Sequence, residues 1–167
     1  MGKENTSPSG IGFWGTDGPY GCFSNFYPCR FVWQNQIFNC SEQAFMWAKA
    51  MEFEDTETAE KIKAETEPYK IKKLGRQVKN YDDKVWSERR FEIMLDIVYD
   101  KFYQNPDLKK ILQSTGEANI FEDSPFDYIW GIGKEGTGQN LLGQVLMSVR
   151  VSLGFYDLLH ELFDEEE

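Results

Sequence analysis

The spacing of apolar side chains predicts a mostly helical chain. Over residues 83–104 the apolar side chains recur at intervals of three and four, which places one face of the longest helix in the core; they are Phe91, Met94, Leu95, Val98 and Phe102. Shorter helices are predicted over 41–51, 56–64, 69–74 and 107–114. Asp55 is expected to cap the helix over 56–64, and Pro68 and Gly75 to begin and end the helix over 69–74. A buried helix over 141–153 is expected to end at Gly154 and to be followed by a terminal helix over 155–163. We expect Asn39 and Glu42 to form a capping box at the start of the helix predicted over 41–51.

Short strands are predicted in the aromatic-rich segment between residues 11 and 38. Residues 30–33 and 37–38 are expected to pair across Gln34-Asn35-Gln36, and residues 119–122 form another candidate strand. The predicted fold class is therefore α+β, predominantly helical, with short N-terminal strands. Residues 1–10 are expected to be a disordered lead-in, 11–156 a single domain, and 157–167 the end of the last helix and an acidic tail.

The amino-acid composition limits the cellular compartment in which we expect the protein and the side chains on which catalysis could depend. Three cysteines, an odd number without a CxxC pair, favour a reducing interior, and no apolar stretch or leader predicts membrane insertion or secretion. We therefore expect an intracellular protein, cytoplasmic or nuclear, that does not bind a membrane. His160 is the single histidine, which argues against catalytic triads and multi-histidine metal sites. An enzyme with this composition has to rely on carboxylates, lysines or a cofactor.

The net charge of −10 argues against a protein that binds nucleic acid through its whole surface. Six of the 28 acidic residues follow Tyr156, however, with no lysine or arginine among them. Residues 61–90 hold ten basic residues against five acidic ones. That segment is either a solvated helical surface or a local patch that faces phosphate groups.

Glu42 and Lys49 are the first candidate for catalysis. Seven residues are almost two helical turns, so both side chains project from one face, about 10 Å apart along the axis. Phe45 and Met46 lie between them in the sequence and suggest partial burial. Burial would raise the pKa of the carboxyl group and lower the pKa of the amine, which suits both for proton transfer. The alternative is that both lie at the edge of the core, solvated or paired elsewhere.

A glycine-rich loop over residues 131–138 is the second candidate. Residues 131–136 match the GxGxxG pattern, but no second strand follows, so a dinucleotide-binding βαβ unit is not expected. The loop either brings backbone amides to a phosphate or closes over a pocket. Asp127 and Trp130 precede it, as part of a site or as a turn cap and a core residue.

Several motifs, in order, resemble those of the NADAR (YbiA-like) family. They are Phe23-Ser24-Asn25-Phe26-Tyr27-Pro28, Ser41-Glu42-Gln43-Ala44-Phe45, Lys49-Ala50, Leu74-Gly75-Arg76, Trp86, Met94, Lys101-Phe102, Thr115-Gly116, Glu122, Asp127, Trp130-Gly131-Ile132-Gly133, Gly138-Gln139-Asn140-Leu141-Leu142-Gly143, Leu146-Met147 and Arg150. The resemblance covers residues 12–152. Gln34-Asn35-Gln36 replaces the family's usual Asp-Gly turn, and Gln43-Ala44-Phe45 varies the aromatic pattern after Glu42.

The resemblance implies a mostly helical α+β fold and N-glycosidase chemistry on a ribose, with no metal or cofactor. It associates the family with two substrates: ADP-ribose on the amino group of guanine in DNA or RNA, and ribosylamino-pyrimidine phosphates of riboflavin synthesis. We assign catalysis to Glu42 as acid and base, Lys49 as imine-forming amine or cation, and Asp127 as second carboxylate. The expected substrate-binding residues are Asn25, Phe26, Arg76, Trp86, Glu122, Trp130, Gly131, Gly133 and Asn140. A non-catalytic ADP-ribose reader remains the alternative from another class.

Overall fold

The computed structural model describes residues 9–164, and these form two compact units. In chain order the elements are β1 (Ile11–Phe13), a 3₁₀ turn (Gly21–Phe23), β2 (Phe31–Trp33), β3 (Gln36–Phe38), α1 (Ser41–Glu52), α2 (Thr56–Ala64), α3 (Pro68–Gly75), α4 (Asp83–Tyr103), α5 (Pro106–Ser114), β4 (Ile120–Glu122) and α6 (Leu141–Asp164). The predicted fold class, α+β and predominantly helical, is confirmed. Most of the predicted lead-in, residues 1–8, and the last three residues of the predicted tail lie outside the described residues.

The unit formed by residues 25–110 begins with a β-hairpin. β2 and β3 pair antiparallel, which confirms the predicted hairpin, with Phe31 opposite Phe38. Gln36, expected in the turn, lies in β3 opposite Trp33. Gln34 and Asn35 turn the chain with φ of 50° and 58°. Positive φ at both central residues is the geometry of a two-residue type I′ turn, which asparagine tolerates better than most residues. The hairpin therefore forms without a glycine at this turn.

Four helices complete this unit, with α1 packed against α2, α3 and α4. Asp55 caps α2 by accepting a hydrogen bond from the Thr58 N–H at 3.1 Å, as predicted. The expected capping box at α1 is wrong. Cys40 is the N-cap residue and makes no side-chain cap, and the Asn39 N–H donates to Oε1 of Gln43 at 2.9 Å. Gln43 therefore takes the position that the capping box assigned to Glu42.

Residues 9–24 and 111–164 form the second unit. β1 and β4 pair in parallel, with Ile11 opposite Ile120 and Phe13 opposite Glu122. The sequence predicted a strand near β4 but not its partner more than a hundred residues earlier. α6 packs on β4 through fully buried side chains: Leu142, Val145, Leu146, Val149 and Leu153. The core of this unit is thus one face of α6 against a two-stranded sheet.

The predicted break at Gly154 is wrong, because α6 runs without interruption from Leu141 to Asp164. A glycine inside a helix costs about 1 kcal/mol relative to alanine, which is too little to end a helix anchored by a buried face. Within residues 9–164 no helix is long and apolar enough to cross a membrane. Cys22, Cys29 and Cys40 are all free thiols.

Candidate active site

The start of α1 holds the first catalytic candidate. Glu42 is 8% exposed, and its backbone N–H donates to the carbonyl oxygen of Asn25 at 2.9 Å. The Ser41 hydroxyl donates to Oδ1 of Asn25 at 2.9 Å. These two bonds fix the segment before α1 against the helix N-terminus. The amide nitrogen of Asn25 is then the part of that side chain that can contact a substrate hydroxyl or phosphate.

Lys49 lies further along α1 and is held by groups from outside that helix. Its Nζ donates to the carbonyl oxygen of Gly75, the last residue of α3, at 2.8 Å. It also lies 4.5 Å from the ring centroid of Tyr81, within the range of a cation–π interaction. A Cβ on Gly75 would lie 2.0 Å from Sδ of Met46 on α1. Glycine at this position therefore lets α3 approach α1 closely enough for its carbonyl to reach Lys49.

The electrostatics of Lys49 match the expectation from sequence. Burial lowers the pKa of its amine, the carboxylate of Glu42 opposes that shift, and the guanidinium of Arg76 adds to it. The neutral amine is therefore more populated near neutral pH than for a solvated lysine. The predicted residues Glu42 and Arg76 thus each lie close enough to Lys49 to influence the charge of its amine.

Phe26 and Trp86, the two aromatic side chains of the first unit described above that are predicted to bind substrate, differ in burial. Phe26 is partly buried and meets the ring of Tyr69 edge-on, with 5.0 Å between centroids. Trp86 is 5% exposed, and its ring lies 5.0 Å from that of Phe45 and 6.4 Å from that of Phe53. This burial argues against a base stacking on Trp86, since a stacking platform needs an open face. Its contribution to the wall of a ribose pocket stays a prediction.

In the second unit, Asp127 has the geometry of a turn cap. One carboxylate oxygen, Oδ1, accepts the backbone N–H groups of Ile129 at 2.9 Å and Trp130 at 2.8 Å. This is one of the two interpretations that the sequence left open. Such bonds order the chain just before the glycine loop, and they leave the second carboxylate oxygen for other contacts. The catalytic role of Asp127 stays a prediction.

The glycine loop is closed by its own backbone. The Gly138 N–H donates to the carbonyl oxygen of Ile132 at 2.6 Å, within the loop. The side chain of Asn140 ties the residues after the loop to β4, because its Oδ1 accepts the Glu122 N–H at 3.1 Å and its Nδ2 donates to Ile120 O at 3.0 Å. The first amides of α6, those of Leu141 and Leu142, donate to carbonyls at 129 and 130. A phosphate therefore cannot use those two amides, which are otherwise the donors of a helix N-terminus.

The glycines of this loop are required by its shape. A Cβ on Gly131 would lie 2.9 Å from the carbonyl oxygen of Glu122. Gly133 has φ of +70°, and a Cβ there would lie 2.3 Å from the ring of Tyr128. The substrate-binding roles of Gly131, Gly133, Glu122 and Trp130 stay predictions. Within residues 9–164 there is no group of three or more histidine, cysteine, aspartate or glutamate residues that could hold a metal ion.

Two groups that hold Lys49, the Gly75 carbonyl and the Tyr81 ring, were not predicted from the sequence. Gly75 was recognised as the end of a helix but not as a hydrogen-bond acceptor for Lys49, 26 residues earlier. Tyr81 carried no signal, since an aromatic residue between a helix and a charged turn is common. Its hydroxyl donates to Oδ1 of Asp83 at 2.8 Å and its ring meets Phe53 edge-on. Those contacts orient the ring beneath the ammonium group.

Comparisons with known proteins identify relatives of this chain. The chain is 41% identical over 121 residues to the N-glycosidase R617 of Acanthamoeba polyphaga mimivirus, covering 66% of this chain and 71% of that protein. It is 32% identical over 151 residues to the riboflavin biosynthesis protein VVA0006 of Vibrio vulnificus, covering 90% of this chain and 40% of that protein.

A third relative connects sequence and structure. The N-glycosidase YbiA of Escherichia coli is 31% identical over 143 residues, 86% of this chain and 88% of that protein. Its solved structure matches with a TM-score of 0.79, covering 89% of this chain and 86% of the other. These names confirm the predicted enzyme class, a hydrolase that acts on N-glycosyl bonds. Since the NADAR domain profile matches residues 12–154, most of the chain, this protein belongs to the NADAR family.

Proposed function

We propose that this N-glycosidase removes ADP-ribose from the amino group of guanine in nucleic acid, by hydrolysing the bond between ribose C1 and that exocyclic nitrogen. The arrangement on α1 carries the proposal: a buried carboxylate, Glu42, and a partly buried amine, Lys49, interact electrostatically along one helix. Cleavage of such a bond needs an acid for the departing nitrogen and a group that stabilises the positive charge developing on the sugar.

The neutral amine of Lys49 supports a route through a lysine imine. Opening of the ribose ring breaks the bond between C1 and the ring oxygen, which takes up a proton, and leaves an imine between C1 and the guanine nitrogen. Lys49 then adds to C1, and guanine departs with a proton from Glu42. Water hydrolyses the lysine imine, which returns the free amine and releases ADP-ribose.

Direct hydrolysis is the alternative route at the same residues. There a carboxylate stabilises the oxocarbenium-like transition state, and Lys49 acts as a cation toward phosphate oxygens. Sodium cyanoborohydride separates the routes, because it reduces an imine to a stable amine. A covalent ADP-ribose adduct on Lys49, located by peptide mass spectrometry, is expected for the imine route and absent for direct hydrolysis.

A second substrate is favoured by one relative, the protein named for riboflavin biosynthesis. Its implied substrate, a ribosylamino-pyrimidine phosphate, carries the same type of bond between an exocyclic nitrogen and ribose C1. The same pair of residues could therefore act on it. This candidate substrate differs in size and charge, because it has one phosphate group instead of a diphosphate and a nucleic-acid strand.

The deciding experiment offers both substrates to the purified protein. Release of ADP-ribose from an oligonucleotide that carries ADP-ribosylated guanine is measured by liquid chromatography and mass spectrometry, beside ribose phosphate release from the pyrimidine substrate. We expect faster turnover of the oligonucleotide, and turnover lowered by about 10²–10⁴-fold in Glu42→Gln. Turnover of the pyrimidine alone refutes the proposed substrate. Tight binding of ADP-ribose in calorimetry, without hydrolysis of either substrate, would indicate a non-catalytic protein that recognises ADP-ribose.

A further inference from the structure

The basic residues of segment 61–90 differ in whether a carboxylate neutralises them. Lys61 and Lys79 both pair with Glu57, at 3.2 and 3.9 Å, and Arg89 pairs with Glu52 at 2.9 Å. On and just after α3, Lys72, Lys73 and Arg76 form no ion pair with any residue in the described range 9–164. Seven of the ten basic residues of the segment therefore form no ion pair within residues 9–164, and four of the seven lie on or just after α3; the seven are Lys63, Lys70, Lys72, Lys73, Arg76, Lys84 and Arg90.

These three cations share one face of the helix with an aromatic ring. Positions 69, 72, 73 and 76 are spaced i, i+3, i+4 and i+7, which places them on one side of α3. Ile71 and Gly75 are buried on the side facing the protein, whereas Tyr69 is 77% exposed. We call this surface the α3 cationic face; it consists of Tyr69, Lys72, Lys73 and Arg76.

The ring of Tyr69 is oriented although it is exposed. Phe26 meets it edge-on at 5.0 Å, with an interplanar angle of 79°. Nζ of Lys72 lies 5.9 Å from the centroid of Phe26, so the cation and the aromatic pair are adjacent. An exposed ring held in place beside cations is the combination that binds single-stranded nucleic acid, with bases stacking and phosphates contacting lysine and arginine.

The α3 cationic face leads directly to the catalytic candidates. The carbonyl of Gly75 holds Lys49, and Arg76 follows it in the chain. Positions 69 to 76 span about 10 Å of helix axis. A stacked strand has about one phosphate per 3.4 Å, so roughly three phosphates fit along that length, one for each cation.

We propose that the α3 cationic face binds single-stranded nucleic acid next to the reacting nucleotide, with phosphates on its three cations and a base stacked on Tyr69. The inference rests on the proposed function for its location beside the modified guanine. It explains how a chain with a net charge of −10 holds a nucleic-acid substrate. The charge that matters is local and unpaired, whereas much of the acidity follows Tyr156.

The test measures binding, not turnover. Fluorescence anisotropy follows a labelled, unmodified single-stranded oligonucleotide over a series of salt concentrations, as DNA in one arm and as RNA of the same sequence in the other. Replacing Lys73 with alanine should reduce the slope of log K against log salt by about 0.7, the value for one lost phosphate contact on a single strand. Tyr69→Ala should weaken binding about tenfold and leave the slope unchanged.

Matched variants separate these effects from general changes in charge or fold. Lys61→Ala removes the same charge at a site already paired with Glu57, and should leave the slope unchanged. Tyr69→Phe keeps the ring and should bind like the wild type. The inference is overturned by absent binding at low salt, by equal slopes for Lys61→Ala and Lys73→Ala, or by a Tyr69→Phe variant as weak as Tyr69→Ala. Because the strand is unmodified, a failure to release ADP-ribose in the turnover assay leaves this outcome intact.

Discussion

Replacing Gly75 with alanine should destabilise the protein, although alanine favours helix by about 1 kcal/mol over glycine. The new Cβ would lie 2.0 Å from Sδ and 2.9 Å from Cγ of Met46. Ordinary contact begins at 3.4 Å, so the thioether or the end of α3 has to move by about 1.4 Å. Met46 is buried, and overpacking of this kind typically costs about 1–3 kcal/mol. We expect a net loss of about 1 kcal/mol in the free energy of unfolding, measured by urea denaturation.

Activity should fall further than this stability loss explains. The Gly75 carbonyl holds Nζ of Lys49 at 2.8 Å, and a shift of α3 by an ångström breaks that bond. Misplacing a reacting group by about 1 Å costs about a hundredfold in rate. The kcat of the Gly75→Ala variant is compared with wild type at a temperature where both are folded.

Met46→Ala supplies the control, because it removes the atoms that collide with the new Cβ. The double variant should recover much of the kcat lost by Gly75→Ala, and the two substitutions should couple by about 0.5–3 kcal/mol in stability. A Gly75→Ala protein that is more stable than wild type and fully active would refute this reasoning.

Substitutions at four further positions test the site. Glu42→Gln and Lys49→Ala should each lower kcat by about 10²–10⁴-fold with unchanged far-ultraviolet circular dichroism, and wild-type activity in either variant removes that residue from the mechanism. Arg76→Gln should raise the pKa of Lys49, because the guanidinium of Arg76 lowers it. If the neutral amine of Lys49 reacts, the rising limb of the plot of kcat against pH should move to higher pH. A limb that does not move argues against a reacting amine at Lys49. Asp127→Ala should cost about 1 kcal/mol by losing two backbone hydrogen bonds, whereas Asp127→Asn keeps the acceptor and the stability. The kcat of that Asn variant then reports on the charge alone, and wild-type kcat would leave Asp127 as a turn cap.

Local sequence rules succeeded where one kind of interaction dominates. The apolar period of three and four located α4, and the Asp55 cap and Pro68 start located α2 and α3. The rules failed where two local preferences compete. Gly154 weakens a helix, but it follows a helix already formed over the buried residues 142–153, and a cost of about 1 kcal/mol does not stop an existing helix from extending. Asn39 and Glu42 have the spacing of a capping box, yet the neighbouring Gln43 reaches the same N–H.

The sequence by itself determined the helical pattern, the family motifs and the common face of Glu42 and Lys49, because these depend on spacing within one segment. The tertiary structure alone decided which groups hold Lys49: the Gly75 carbonyl and the Tyr81 ring come from other elements. It likewise decided the parallel pairing of β1 with β4 and which basic residues of segment 61–90 stay unpaired. Such contacts join positions far apart in the chain, and packing, not any local period, brings them together.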